Sequence, residues 1–355
     1  MQANNQWATR PSDERFLSLT DMAVHFGGLI DKTESMNVFV QSIIASHKED
    51  QALNLVIDNK KFALNNWGFR QICSHADAPA QYLAKLPPHM ASTCLNHGLN
   101  QCFADQQTKL LIERQDNGTQ VVRAATGATY GRIWNHEVVG ALINRFGDGV
   151  TGDFRVPGEF GEEIVVDKEN TTLYAGERDM FVFLADEKNR IELPNRRDGK
   201  MGTFARGFFV WNSEVGANTL GVATFLFDYA CSNRIVWGAQ EFKQIKIRHS
   251  SGAPERFLEE LQPVLAAFSG ASDTNVINVI EAARSHRLND PMEWMTGRFN
   301  KSLATKFDAA HIADEGRPIE TRWDVVTGMT AHARTIEHQN VRVNMEREAG
   351  KLLTV

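Results

Sequence analysis

The sequence predicts an α+β protein: an antiparallel, curved central sheet built from hairpins, buttressed by helices, with a helical C-terminal third. Three observations carry this. Between Thr203 and Ser250, segments such as Thr224–Cys231 and Phe242–His249 alternate with period two, which is the spacing of a strand. Upstream, short apolar runs are joined by turn residues, including an Asn117-Gly118 pair of the kind hairpins prefer. From Pro254 onward apolar residues recur at three and four instead. A sheet-bearing middle followed by helices differs from the βαβ alternation of a parallel sheet. Three regions are expected: a flexible polar arm over 1–16, an α+β domain over 17–253, and a helical region over 254–355 packing on it.

Taken in order, Ser18–Gln51 carries helical spacing through Leu19, Met22, Val24 and Phe26, then Phe39, Ile43 and Ile44. Leu53–Ile57 and Phe62–Leu64 flank the turn-like Asp58-Asn59-Lys60-Lys61 and read as a hairpin. Helices are expected over Trp67–His75, Ala80–Leu86 and Met90–Ala104, with Pro79 at a first turn and Pro87-Pro88 breaking the chain. Lys109–Arg114 and Thr119–Ala125 form the Asn-Gly hairpin. A helix from Glu137 to Phe146 stops at Gly147. After the glycine-rich acidic stretch 147–163, strands are expected at Glu163–Val166, Thr172–Tyr174 and Met180–Leu184, then a basic loop over Asn189–Gly202. Phe208, Phe209 and Trp211 mark a further strand. The C-terminal helices are Pro254–Phe268, Asn275–His286, Met292–Phe299, Leu303–Ile312 and a long one from Arg322 to about Leu353.

The bulk properties narrow the function. Apolar content of 42% and charged content of 23% are those of a globular chain. Its 38 basic against 44 acidic residues leave a net charge of −6, which argues against indiscriminate duplex binding but leaves room for a local positive groove. Four cysteines without a C-x-x-C pair predict reduced thiols and no structural zinc. The N-terminus lacks a secretory pattern, and no uncharged apolar run reaches ~18 residues, so a cytoplasmic protein without a membrane segment is expected. Neither phosphate-cradling glycine motif occurs, nor a nucleophile elbow, so no cofactor and no catalytic residue are assigned. His136-Glu137 begins like a zinc-protease helix, yet Gly140 stands where the second histidine belongs, and no metal site is assigned.

The candidate functional residues are cations. In Phe242–His249 Ile245 and Ile247 share a face with Lys243 and His249, and Lys246 and Arg248 share the opposite one with Gln244, as in a half-buried strand with Ile inward and Lys and Arg outward. The loop before the central strands holds Arg196, Arg197 and Lys200, with Arg206 following. Together with Arg132 these side chains would line one positive surface for phosphates. Lysines on an edge strand equally serve to keep it from pairing with other chains. The aromatic face of the sheet reads as packed core rather than a platform for bases.

Several segments resemble a bacterial and viral family described as phage/plasmid-related and carrying a domain of unknown function (domain of unknown function 932). They are Tyr130–Asn135, Met180–Leu184, Val210–Asn218 before the strand that ends in Cys231-Ser232-Asn233, Ile247–Ser250 before a helix near Glu255, and the closing helix with Trp323 and Glu346–Leu353. The resemblance implies a mobile-element setting. In outline such a protein is similar to single-strand annealing proteins of the Erf/RecT type, which form rings or filaments without a catalytic centre. The expectation is therefore a single-stranded nucleic-acid-binding protein of recombination or replication that self-associates and hydrolyses no nucleotide. The alternatives are a phage or plasmid assembly factor, and a metal-dependent nuclease using Asp148, Asp153, Glu159, Glu162 and Glu163.

Overall fold

Two sheets divide the strands, where the sequence predicts one central sheet; the α+β class, the antiparallel hairpins and the helical C-terminal third stand. The computed structural model describes residues 11–47, 53–157, 165–169, 171–193, 202–228, 233–235, 245–269, 274–336 and 339–354.

The arm expected over 1–16 gives way to structure within it, because β1 (Arg15–Phe16) pairs with Tyr174 and Leu173. α1 (Leu19–Asp31) starts where the Ser18 hydroxyl accepts from the Asp21 amide, and it buries Leu19, Met22 and Phe26 along one stripe. The helical pattern read onward to Gln51 stops there. β2 (Thr33–Phe39) and β3 (Ile44–Ser46) follow, and both are sheet edges. An edge strand exposed over most of its length carries no clear apolar alternation, which hides it from sequence. β4 (Asn54–Ile57) and β5 (Lys60–Leu64) form the expected hairpin. Its turn residues Asp58 and Asn59 take φ of 48° and 61°, the left-handed pair a type I′ turn requires. α2 (Asn66–His75), α3 (Ala80–Leu83) and α4 (Pro88–Asn100) lead to the Asn-Gly hairpin β6 (Gln107–Arg114) and β7 (Gln120–Gly127). The strand order is β2-β6-β7-β5-β4-β3, antiparallel except for β5 beside β7, whose parallel pairing the helical crossover permits. Leu55, Ile72, Leu95, Leu110 and Val122 fill the space between sheet and helices.

α5 (Asn135–Phe146) follows the crossing to the second sheet. That sheet holds β8 (Phe154–Arg155), β9 (Leu173–Ala175), β10 (Met180–Asp186), β11 (Ile191–Leu193), β12 (Gly202–Asn212), β13 (Leu220–Asp228), β14 (Asn233–Ile235) and β15 (Ile245–Ile247), with β1 at one margin. Its spine runs β1-β9-β10-β12-β13-β14, with β15 on the near half of β13. Val182, Phe208, Val210, Val222 and Ile247 face α1, α5 and α6 (Ala253–Ser269). Farther along the same face Phe204 and Leu226 pack on α7 (Thr274–Ser285), α8 (Pro291–Thr296), α9 (Lys301–Glu315), α10 (Arg322–Arg334) and α11 (Gln339–Lys351). The single closing helix read from sequence is thus two helices.

On the opposite face Phe181, Phe183, Phe209 and Trp211 are buried against one another, with ring centroids 5.3 Å apart for Phe183 and Phe209 and 5.2 Å for Phe209 and Trp211. They serve as core. The Trp211 indole lies on Gly221, where a Cβ would collide with the ring. The strand expected at Glu163–Val166 is absent at its described residues, Val165 and Val166. Residues 229–231 and 242–244, read as strand, lie outside the described residues. No helix among the described residues is long and apolar enough to cross a membrane.

Candidate functional site

Three of the segments quoted for the family resemblance converge where the two sheets meet. The connector from β7 to α5 passes so close to Ser250 that Gly131 has no room for a side chain against the Ser250 carbonyl. Tyr130 donates from its hydroxyl to the Ser213 carbonyl at 2.9 Å and stacks on the His249 ring at 4.9 Å. The Asn212 amide donates to the Ile133 carbonyl at 2.9 Å and to Asn135 Oδ1 at 2.8 Å. From the other side, Trp67 Nε1 and Gln71 Nε2 each donate to the Val215 carbonyl at 2.9 Å. The turn between β12 and β13 is therefore gripped by α2 of one sheet and by the connector to α5.

Charge sits inside this grip. The register of β7 against β6 skips from Ala124 to Val122, leaving Arg123 as the extra residue of a β-bulge. The bulge aims Arg123 at Glu214, Nη2 to Oε1 at 3.0 Å, and at Glu113, Nε to Oε2 at 3.4 Å. Glu214 Oε2 accepts from the Asn135 amide at 3.2 Å, and its carbonyl accepts from Arg132. Arg132 is 7% exposed, with its guanidinium 5.2 Å and 5.5 Å from the ring centres of Tyr130 and Trp134. Arg132 was expected on a phosphate-facing surface and is instead an internal strut, because a carbonyl and two aromatic rings replace its water.

Burial pushes the Tyr130 phenol up and the Arg132 guanidinium down. Burial also lowers His249, to about 4; the nearby Arg132 charge acts the same way, and the Gly131 carbonyl opposes them. His249 Nδ1 lies 3.1 Å from that carbonyl, while Nε2 is buried without a hydrogen-bond partner among the described residues. A neutral imidazole held in this manner ties the β7–α5 connector to the strand end at His249.

Arg206 is also internal. Its guanidinium meets Asp186 at 3.5 Å, and Asp186 further accepts from the Asn189 backbone and side-chain amides. The inner face of β12 runs Phe204, Arg206, Phe208, so this ion pair stands between the two apolar clusters that pack on the sheet. In the basic loop, Arg190 pairs with Glu187 at 2.5 Å. Lys246 and Arg248 behave as the sequence predicts: both are exposed and flank Ile247, which is fully buried. Neither forms an ion pair with a described residue. Arg196, Arg197, Lys200 and Lys243 lie outside the described residues. The loop carrying the first three is anchored where Leu193 pairs with Gly202, whereas Lys246 pairs with Gly221 opposite Trp211. Those anchors are nine residues apart along β12, about 30 Å at ~3.3 Å per residue.

In the acidic stretch Asp148 closes its own turn, accepting from the Val150 and Thr151 amides at 2.8 Å and 2.7 Å. Asp153 pairs with Lys188 at 3.4 Å. Glu159, Glu162 and Glu163 lie outside the described residues. Among the described residues no three His, Cys, Asp or Glu side chains are grouped to hold a metal ion. Sequence reasoning missed a buried cluster at the start of α10, where Asp324 takes both Arg317 Nη groups at 2.8 Å and 2.6 Å and lies 3.8 Å from His311. Burial raises the Asp324 carboxyl, but Arg317 and the Glu320 and Thr321 amides outweigh it and hold the group low. The Thr321-x-x-Asp324 capping box was the available signal.

No family model matches the chain, and neither the curated proteins nor the solved structures contain a match.

Proposed function

We propose that this protein binds single-stranded nucleic acid through its phosphates along the β15 edge, as a binding protein rather than an enzyme, in the mobile-element setting that the family resemblance implies. The observation that carries the reading is the pair Lys246 and Arg248. Both stand exposed with no carboxylate partner among the described residues, on a strand pinned to the core by Ile247, in a chain whose net charge is −6. Unneutralised cations held by a rigid strand give phosphate contacts with little ordering cost. Arg196, Arg197, Lys200 and Lys243 extend the proposed contact set. A track running the ~30 Å between their anchors would suit a flexible single strand.

Affinity for a labelled single strand, followed against salt, tests this. Each phosphate contact contributes about 0.7 to the magnitude of the log–log slope, so K246E/R248E should lower it by about 1.4. Arg132→Gln should reduce stability and leave that slope unchanged. A flat salt plot, or no binding at ~50 mM salt, removes the reading.

A second observation supports self-association, as an annealing protein or an assembly factor would need. β2 is a seven-residue edge strand, paired on one side to β6, with Glu34, Ser35, Asn37 and Phe39 exposed and neither proline nor lysine to guard it. A second copy adding its own β2 antiparallel would extend the smaller sheet through both chains.

A further inference from the structure

Away from the clamp and the cationic edge, α2, α3 and the start of α4, with Leu53 and Leu64 beside them, line an open pocket of about 310 Å³. Its origin is local. α3 spans only four residues between Pro79 and Pro87-Pro88, and these prolines prevent either end from continuing as helix. The short helix covers only part of α2, and the pocket opens beside it. Leu64, Phe69 and Leu86 lean on the core of the smaller sheet with one side and remain half-buried with the other, facing the opening together with Leu83 and Ala91.

The mouth is polar and positive. Arg70 is exposed on α2, and its Nε donates to Asn66 Oδ1 at 2.8 Å, which orients the guanidinium; among the described residues its Nη groups meet no carboxylate. Gln81 lines the same mouth from α3 and is exposed there. An oriented fork of this kind matches the two oxygens of a carboxylate. At ~30 Å³ for each water-sized group, the cavity holds about ten such groups. Pockets of this size, apolar in the walls with a few convergent polar groups, are typical small-ligand sites.

We propose that this cavity binds a small amphipathic carboxylate, its apolar chain of about eight to ten heavy atoms against Leu64, Phe69 and Leu86 and its head on Arg70. The apolar walls supply affinity by releasing water, and Arg70 selects a carboxylate over a neutral head group.

Isothermal titration of the full chain with octanoate at neutral pH tests the site. The expected result is saturable one-to-one binding, weaker for butanoate and for octanol. Arg70→Ala removes one surface hydrogen bond and should weaken octanoate about tenfold while leaving octanol unchanged. Ala84→Trp, at the exposed rim, should block both ligands, with circular dichroism confirming that each variant is folded. Absence of saturable heat, octanoate binding no tighter than octanol, or affinity unaffected by either substitution would each overturn the assignment.

Discussion

Glu214 holds a guanidinium on its side chain and another on its backbone carbonyl, both out of water. Replacing it by Gln keeps the shape and removes the charge, leaving Arg123 with the half-buried Glu113 alone. Breaking a buried pair in this way costs about 3 kcal/mol or more. The urea midpoint of E214Q should fall accordingly with an unchanged m-value, and R123M/E214Q should recover part of the loss. His249 sets a pH dependence. The folded imidazole takes up its proton near pH 4, whereas an unfolded one does so near 6.5, so the unfolded chain binds more protons between those values. Stability should therefore fall as pH drops from about 6.5 toward 4, by on the order of 3 kcal/mol from this residue, with His25, His75 and His311 adding in the same direction. His249→Asn should flatten the midpoint-against-pH profile in that window; an unaltered profile would show that the imidazole is not held neutral. At this scale the sequence displayed charge but not burial. Arg132 and Lys246 look alike in a list of cations and differ only in whether a carbonyl or water completes their hydrogen bonds.

Elements were legible wherever the signal is local. The hairpins β4–β5 and β6–β7 follow from turn residues that tolerate left-handed φ, as Asp58, Asn59 and Gly118 do here. The outward placement of Lys246 and Arg248 follows from period two and the burial of Ile247. The helical spacing over Ser18–Gln51 hides β2 because most of its residues are exposed, and exposure erases the alternation by which a strand is recognised. Its open edge is where self-association is tested. In an antiparallel pair of identical strands centred on Met36, position 35 of one copy faces position 37 of the other, so S35K/N37K sets like charges opposite each other twice across the two-fold axis. S35K/N37K should shift the wild-type oligomer to monomer in sedimentation velocity without lowering the melting temperature; an unchanged oligomer would place the contact elsewhere. The break between α10 and α11 leaves no mark in the sequence at Thr335 and Ile336, where neither proline nor glycine stands.

For the whole molecule, the larger sheet supports two apolar clusters on one face, and the Arg206–Asp186 pair separates them. A buried pair is costly to break and inexpensive to replace by apolar groups of similar volume. Arg206→Met alone should lose roughly 3–5 kcal/mol, while R206M/D186L should return most of it and merge the clusters, as read from chemical denaturation. If the double variant is no better than the single one, the pair has a role beyond satisfying its own charges. By itself the sequence determined the α+β class, the hairpins, the helical C-terminal third and the inward–outward division of β15, because each depends on residues within a few positions of one another. Only the tertiary structure decided that there are two sheets, that Arg132 and Arg206 are internal, and that Glu214 reaches across to Arg123 and Asn135. Those outcomes depend on which distant segments pack together, and a side chain's own neighbours in the chain do not encode whether it meets water or a partner from 80 or 90 residues away.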